Sequence, residues 1–476
     1  MTSSDALPVA VIGAGPVGLA AAAHLIQRGL PVKVYEAGAT VAANVRDWGH
    51  VRLFSPWEYN TDAAARALLQ SHGWQQPPGK AMPTGSDLYE AYLKPLAATP
   101  EMAAVIETNA TVKAITRWGA DKVLSKGRET KPFVLAVSDG NGTIRRDLAR
   151  AVIDASGTWT APNPLGAGGI LAEGEAENAD RIAYGIPDVL GRDRAAYEGR
   201  TTLVVGAGHS AANVLIDLTR LAEQDPTTSI VWATRGENLM RVYGGGRADQ
   251  LPARGELGSS LKALVDSGRV TLVSGFSATR VKAAGDQVMV EGETAQGIRE
   301  LGPVDRIVVS TGQRPDLNLT RELRLDLDPW LESSKALGPL IDPNLHSCGS
   351  VPPHGHRELA HPEPGFYTVG IKSYGRAPTF LMLTGYEQVR SVVAAIAGDL
   401  AAADDIHLVL PDTGVCSTNS LQDSAAASSS CCGGPAPTQV GACCVADAEA
   451  KAEGRSGCGC GPTQALDKVA EPAGCC

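Results

Sequence analysis

Val9-Ala-Val-Ile12 runs directly into Gly13-Ala-Gly15-Pro-Val-Gly18, and an alanine-rich stretch then leads through Gly29 to Val32-Lys-Val-Tyr35-Glu36. Four apolar residues without a polar face predict a buried strand. The alanine-rich stretch predicts a helix that Gly29 stops, and Val32 to Tyr35 predicts a second strand. Strand, glycine turn, helix, strand and acid in this order make the dinucleotide-binding βαβ unit. Its glycines permit a tight turn and let phosphates approach the helix N-terminus, where backbone N–H groups and the helix dipole favour anions. Glu36 lies 23 residues after Gly13, placed to bind a ribose hydroxyl pair.

The same order recurs further along. Thr201 to Val205 predicts a strand, Gly206-Ala-Gly208-His-Ser210-Ala211 a second glycine turn, and the following residues a helix through Leu221. Ser229 to Ala233 predicts the next strand. No acid ends it; Arg235 stands close by instead, which favours a ribose bearing a 2′-phosphate and therefore NADPH over NADH. Each turn is followed by a hairpin pattern: Phe133–Val137 and Thr143–Leu148 around Asp139-Gly-Asn-Gly142, then Gln287–Glu291 with Ile298–Leu301. Each copy closes on a strand and a small-residue turn, Val152 to Gly157 and Ile307 to Gly312. Two similar α/β modules are present, and duplication of a dinucleotide fold implies two dinucleotides. Gly365 to Gly370 predicts a strand and Pro378 to Ala397 a long helix.

Composition narrows the function. At 476 residues the chain exceeds one hydrophobic core, and 43% apolar with 20% charged residues is an ordinary globular balance. With 42 basic against 52 acidic residues and no Lys/Arg cluster, a nucleic-acid partner is not expected. No apolar run reaches membrane-spanning length, and no positive charge precedes the first one, so no membrane anchor or secretory signal is expected. The expected compartment is the cytoplasm, and the expected partner a small-molecule substrate.

Only Cys348 and Cys416 precede residue 431; Cys431, Cys432, Cys443, Cys444, Cys458, Cys460, Cys475 and Cys476 crowd into the last 46 residues. Beyond Pro411 there are almost no large apolar residues, so burial cannot offset ordering entropy and a flexible tail is expected. Paired thiolates select soft ions, among which trivalent arsenic and copper(I) are candidates; a redox-buffering tail is the alternative. Cys348 with His354, His356 and His361 lacks a zinc signature, and no metal is assigned to the globular part. Met240 to Tyr243 followed by Gly244-Gly-Gly246 reads either as a hinged lid or as a surface loop.

The two glycine turns and two closing Ser-Gly and Thr-Gly elements resemble the two-dinucleotide-binding flavoproteins over residues 7 to about 400. The resemblance implies an α/β fold of two Rossmann-like domains, the NADPH domain (161–311) inserted in the FAD domain (1–160 and 312–411); composition adds the disordered tail expected at 412–476. Gly370-Ile-Lys-Ser-Tyr-Gly-Arg-Ala-Pro-Thr-Phe-Leu, Thr384-Gly-Tyr-Glu-Gln388 and Gly185-Ile-Pro-Asp-Val-Leu-Gly191 are similar to flavin-containing-monooxygenase-like proteins encoded with arsenic resistance genes. This implies an NADPH-dependent FAD monooxygenase oxidising a soft nucleophile such as a trivalent arsenical. The alternatives are a flavoprotein reductase without oxygen transfer and a metalloid-binding flavoprotein without turnover. Gly13, Gly15, Gly18 and Glu36 would hold FAD; Gly206, Gly208, Ser210 and Arg235 would hold NADPH; Gly312 and Gly370 complete the cofactor set. Arg46-Asp-Trp48 and Leu53-Phe-Ser-Pro-Trp57 fall where related chains pass the isoalloxazine ring, with Arg46 and Trp48 as contacts and Trp48 and Trp57 open to a core role. Two departures stand out. The paired cysteines of disulfide reductases are absent from the first module, and no histidine occurs in residues 182–200, before the second glycine turn.

Overall fold

The computed structural model of the chain describes residues 6–243, 252–345, 351–377 and 380–408. The first module contains β1 (Val9–Ile12), β2 (Val32–Tyr35), β3 (Ile106–Glu107), β4 (Thr111–Arg117), β5 (Phe133–Ser138), β6 (Ile144–Ala149) and β7 (Ala151–Asp154). The second contains β8 (Ile182–Tyr184), β9 (Thr201–Val205), β10 (Ser229–Ala233), β11 (Thr271–Val273), β12 (Ser277–Ala284), β13 (Gln287–Thr294), β14 (Gly297–Val304) and β15 (Arg306–Val309). Strand β16 (Phe366–Thr368) then returns to the first sheet.

Two parallel sheets result, in the orders β16-β7-β1-β2-β3 and β11-β10-β9-β15-β8, each accompanied by a three-stranded antiparallel sheet, β4-β5-β6 or β12-β13-β14. The duplication extends to single hydrogen bonds. Gly13 N donates to Tyr35 O (2.8 Å) and Gly206 N to Ala233 O (3.1 Å). Ala155 N donates to Ile12 O (2.9 Å), and Ser310 N to Val205 O (2.8 Å).

Local chemistry explains the elements. Pro16 starts the helix Pro16–Gln27 at a position where its missing N–H costs nothing, and Ala20 to Ala23 let it sit flush on the sheet. That helix packs against Met382–Ile396, joining β16 and the return segment to the first core. In the first hairpin, Asp139 Oδ1 accepts from the backbone N–H groups of Asn141 and Thr143, both at 2.9 Å. Among the described residues no helix is long and apolar enough to cross a membrane.

Several boundaries differ from expectation. The helix after the second glycine turn continues to Gln224, because Leu218 and Leu221 keep its apolar face buried. The strand expected over 365–370 is confined to Phe366–Thr368, and Gly370, at φ +70°, turns the chain into a 3-10 turn through Tyr374. The last long helix starts at Met382; residues 378 and 379 lie outside the described residues. The strands β4 and β12 and the helix Pro252–Asp266 add to the elements that the sequence pattern predicts.

Candidate functional site

The carboxyl ends of the central strands carry both glycine turns. In the first sheet Ile12 is level with both Tyr35 and Asp154; in the second, Val205 is level with both Ala233 and Val309. The glycines divide into two kinds. Gly13 has φ +94° and a Cβ there would lie 2.7 Å from Ala155 O; Gly206 has φ +137° and would meet Ser310 O at 2.2 Å. A Cβ on Gly18 would reach Gly13 O at 1.9 Å. These three are glycine because the protein leaves no room for anything else. At the position of Gly18 the second turn has Ala211, fully buried.

Gly15 and Gly208 behave differently. Their backbones are extended (φ −76° and −107°), and a Cβ on either would meet nothing within 4 Å. Neither conformation nor crowding requires glycine at these helix N-caps. A bare backbone in open space at the start of a helix fits a phosphate group lying against it.

Around the first turn the acid is already tied in. Glu36 is buried at the end of β2, with Oε2 accepting from Ala14 N and Oε1 from Gly38 N, both at 2.8 Å. Two of its four lone-pair positions are so used, and the others remain for a ribose. The chain after β2 folds back over the turn: Ala42 N donates to Ala14 O (3.0 Å), and Ala42 is held at φ +52°. A left-handed alanine costs about 1 kcal/mol and is sustained only by its surroundings. Around the second turn Ala207 and Gly208 are exposed, and Ser210 is half-buried. Arg235, two residues beyond β10, is exposed and forms no hydrogen bond or ion pair with another described residue.

Of the expected ring contacts, Trp57 is 4% exposed and belongs to the core, which settles it as packing. Trp48 is half-buried against Gly85, where a Cβ would come within 2.7 Å of the indole. Arg46 is exposed, donates to Thr40 Oγ1 (3.0 Å) and lies over the Tyr89 ring at 5.2 Å. Phe54 carries no sequence signal of its own within Leu53-Phe-Ser-Pro-Trp57, yet its ring lies 5.5 Å from that of His209, directly after Gly208, and links the loop beside the first site to the second turn. Beneath Phe54, Asn60 fixes the loop through Ser55 O (2.7 Å) and Pro56 O (3.0 Å).

The segments joining the sheets are paired. Thr158 Oγ1 bonds Gln313 Oε1 (3.0 Å), and Asn163 Nδ2 donates to Thr311 O (3.1 Å) beside Gly312, which has φ +90°. Trp159 Nε1 donates to Asp47 Oδ2 (3.2 Å), next to a cleft of about 500 Å³ that also involves Tyr184, Ile186 and Arg192. Gly370 approaches the first helix so closely that a Cβ would lie 3.3 Å from Val17, while its N–H donates to Gln388 Oε1 (2.8 Å).

The three histidines near Cys348 are separate. His354 is buried; its Nδ1 bonds Pro352 O (3.0 Å) and its Nε2 faces Gln388 Nε2 (3.1 Å). Burial holds its pKa below the usual histidine value. His356 bonds Asp404 (2.8 Å), and the His361 ring lies tilted beside Phe366 with centroids 6.0 Å apart, its pKa also lowered by burial. Among the described residues no three metal-ligating groups converge. Cys348, Gly244 to Gly246 and all eight tail cysteines lie outside the described residues.

Two dinucleotide turns at the carboxyl ends of parallel sheets define a two-dinucleotide oxidoreductase. The chain belongs to the pyridine nucleotide-disulphide oxidoreductase family, whose profile matches residues 10–334. It is a flavin-dependent oxidoreductase that works with a pyridine nucleotide. The fold is similar to that of the bacillithiol disulfide reductase Bdr of Bacillus cereus (TM-score 0.61, 15% identity, 82% of this chain and 99% of that one). It is also similar to the cadaverine monooxygenase DfoA of Erwinia amylovora, solved with FAD (TM-score 0.57, 11% identity, 85% and 98%). A third similar structure is the flavin-containing monooxygenase of Stenotrophomonas maltophilia (TM-score 0.52, 19% identity, 82% and 98%). No curated protein sequence is matched.

Proposed function

We propose that the chain is an NADPH-dependent FAD monooxygenase that oxidises a soft nucleophile, a trivalent arsenical, in arsenic resistance. The observation that carries this reading is a pair of dinucleotide turns linked by Phe54 and His209, in a chain whose first 347 residues contain no cysteine. Without a thiol pair in either module, the electrons go to an external acceptor.

FAD lies on the Gly13 turn, with its pyrophosphate against Gly15 and its ribose on Glu36; NADPH lies on the Gly206 turn, with its pyrophosphate against Gly208 and its 2′-phosphate on Arg235. Ser210 supports the nucleotide from the helix start, and Arg46 and Trp48 line the path toward the ring. Gly312 and Gly370 let the closing segments approach closely. Residues 1–160 and 312–411 make the FAD part, 161–311 the NADPH part and 412–476 the cysteine-bearing tail of a cytoplasmic enzyme. Bound flavin supplies two-electron reduction and the activation of oxygen toward lone-pair nucleophiles. One oxygen atom passes to arsenic(III), giving arsenic(V), and the other leaves as water, with NADPH and a proton balancing the equation. The paired cysteines of the tail bind thiol-seeking arsenic and, being tethered to the enzyme, raise its local concentration.

The test is arsenite- or methylarsenite-dependent consumption of NADPH and oxygen, with product measured in the presence of catalase. The reading expects pentavalent product in proportion to NADPH. Product that vanishes with catalase would reflect free peroxide and put the reductase reading first.

A further inference from the structure

Among the described residues Lys372 is the one buried lysine, at 2% exposure, and it lies beneath the first glycine turn. Its Nζ donates to Asp154 Oδ2 at 2.7 Å and to Ser156 Oγ at 3.0 Å, and Asp154 is 0% exposed. The other carboxylate oxygen, Asp154 Oδ1, accepts from Ser156 Oγ (2.7 Å) and from Ser156 N (3.1 Å). The serine hydroxyl thus donates to the aspartate and accepts from the lysine, so its rotor and its backbone are both fixed.

Placement gives this cluster its meaning. Asp154 ends β7, and Ser156 lies in the turn packed against Gly13, with its Cα 3.0 Å from where a Gly13 Cβ would stand. Lys372 comes from the segment after β16, itself anchored through Gly370 N and Ser373 Oγ to Gln388. Three distant stretches of chain therefore meet under the wall of the first dinucleotide site. A buried ion pair of this kind is not needed for stability as such, since apolar pairs of similar volume often replace one without loss.

We propose that Asp154 and Lys372 are positioning residues for FAD: the pair clamps Ser156 and so preorganises the wall of the Gly13 turn for the pyrophosphate. This rests on FAD occupying that turn. Preorganisation of a site lowers the cost of ordering it on binding, so its loss appears in affinity rather than in folding.

The experiment compares FAD dissociation constants of the deflavinated wild type, the double variant Asp154→Leu/Lys372→Met, Ser156→Ala and Gly15→Val, by quenching of flavin fluorescence, alongside apoprotein thermal midpoints. The double variant should keep its midpoint and bind FAD about ten-fold or more weakly. Ser156→Ala should weaken binding in the same direction by less, and it decides the matter should the double variant not fold. Wild-type FAD affinity in the folded double variant, or in Ser156→Ala where only that folds, would overturn the clamp. Gly15→Val separates the two ideas: if it binds FAD normally, the location of the cofactor is wrong, whereas if it alone loses FAD, only the clamp is.

Discussion

The two glycine turns share a backbone pattern and differ in their cover. Gly13 to Gly18 are buried or half-buried, Ala42 returns over Ala14, and Glu36 holds two N–H groups of the surrounding loops. At the second turn Ala207, Gly208 and Arg235 stand exposed. An enclosed turn suits a dinucleotide that stays; an open one suits a dinucleotide that arrives, reacts and leaves. Among the described residues, Ala42 after β2 folds back onto Ala14 of the first turn, whereas after β10 Thr234 O accepts from Phe276 N (3.0 Å).

The sharpest way to break this comparison is a matched pair of substitutions. Gly15→Val should give folded, colourless protein, with FAD content reduced at least about a hundred-fold, because a Cβ there meets no protein atom within 4 Å and enters the space proposed for the pyrophosphate. Gly208→Val should remain yellow and lose reduction by NADPH. Flavin absorbance and circular dichroism measure both, and FAD retained in Gly15→Val would reverse the assignment. Gly13→Val is the contrasting case: its backbone collision and φ of +94° should cost about 3 kcal/mol or more and reduce the yield of soluble protein.

A smaller effect sharpens the open site. Arg235→Ala should cost about ten-fold in affinity for NADPH with little change for NADH, in line with about 1.5–3 kcal/mol for a charge-assisted bond. Unchanged preference in the variant would place selectivity elsewhere.

The smallest effect concerns pH. Burial keeps His354 and His361, both on the return segment to the first sheet, from protonating at the usual value. The unfolded chain takes up those protons near pH 6.5, so stability is unaffected above that value and falls as pH drops below it. Between pH 8 and 5.5 the temperature at which FAD is released should fall, and His361→Leu should shallow the decline by up to about 1 kcal/mol. An identical slope in the variant would remove His361 from the account.

Much of this was legible beforehand, for definable reasons. Both βαβ units, both hairpins and the two turns announce themselves through local pattern: apolar runs, glycines at fixed spacing, Asp139-Gly-Asn-Gly142. What escaped was non-local. Strand β4 alternates weakly, with Lys113 and Ala114 both exposed, so it reads as irregular until β5 pairs with it. The Asp154–Lys372 pair joins residues 218 apart, and nothing near either signals the other. Trp57 looked equally suited to ring and core, and only packing decides. Phe54 could have been found through its place in Leu53-Phe-Ser-Pro-Trp57, but its partner His209 lies in the other module.

The central claim is that a resident FAD in the covered turn is reduced by NADPH from the open one. Anaerobic mixing of the yellow protein with NADPH, followed by flavin absorbance, tests it most directly. Wild type should bleach fully, NADH should be about ten-fold less effective, and Gly208→Val should keep its FAD and stay yellow. Bleaching of Gly208→Val by NADPH at the wild-type rate would contradict the account.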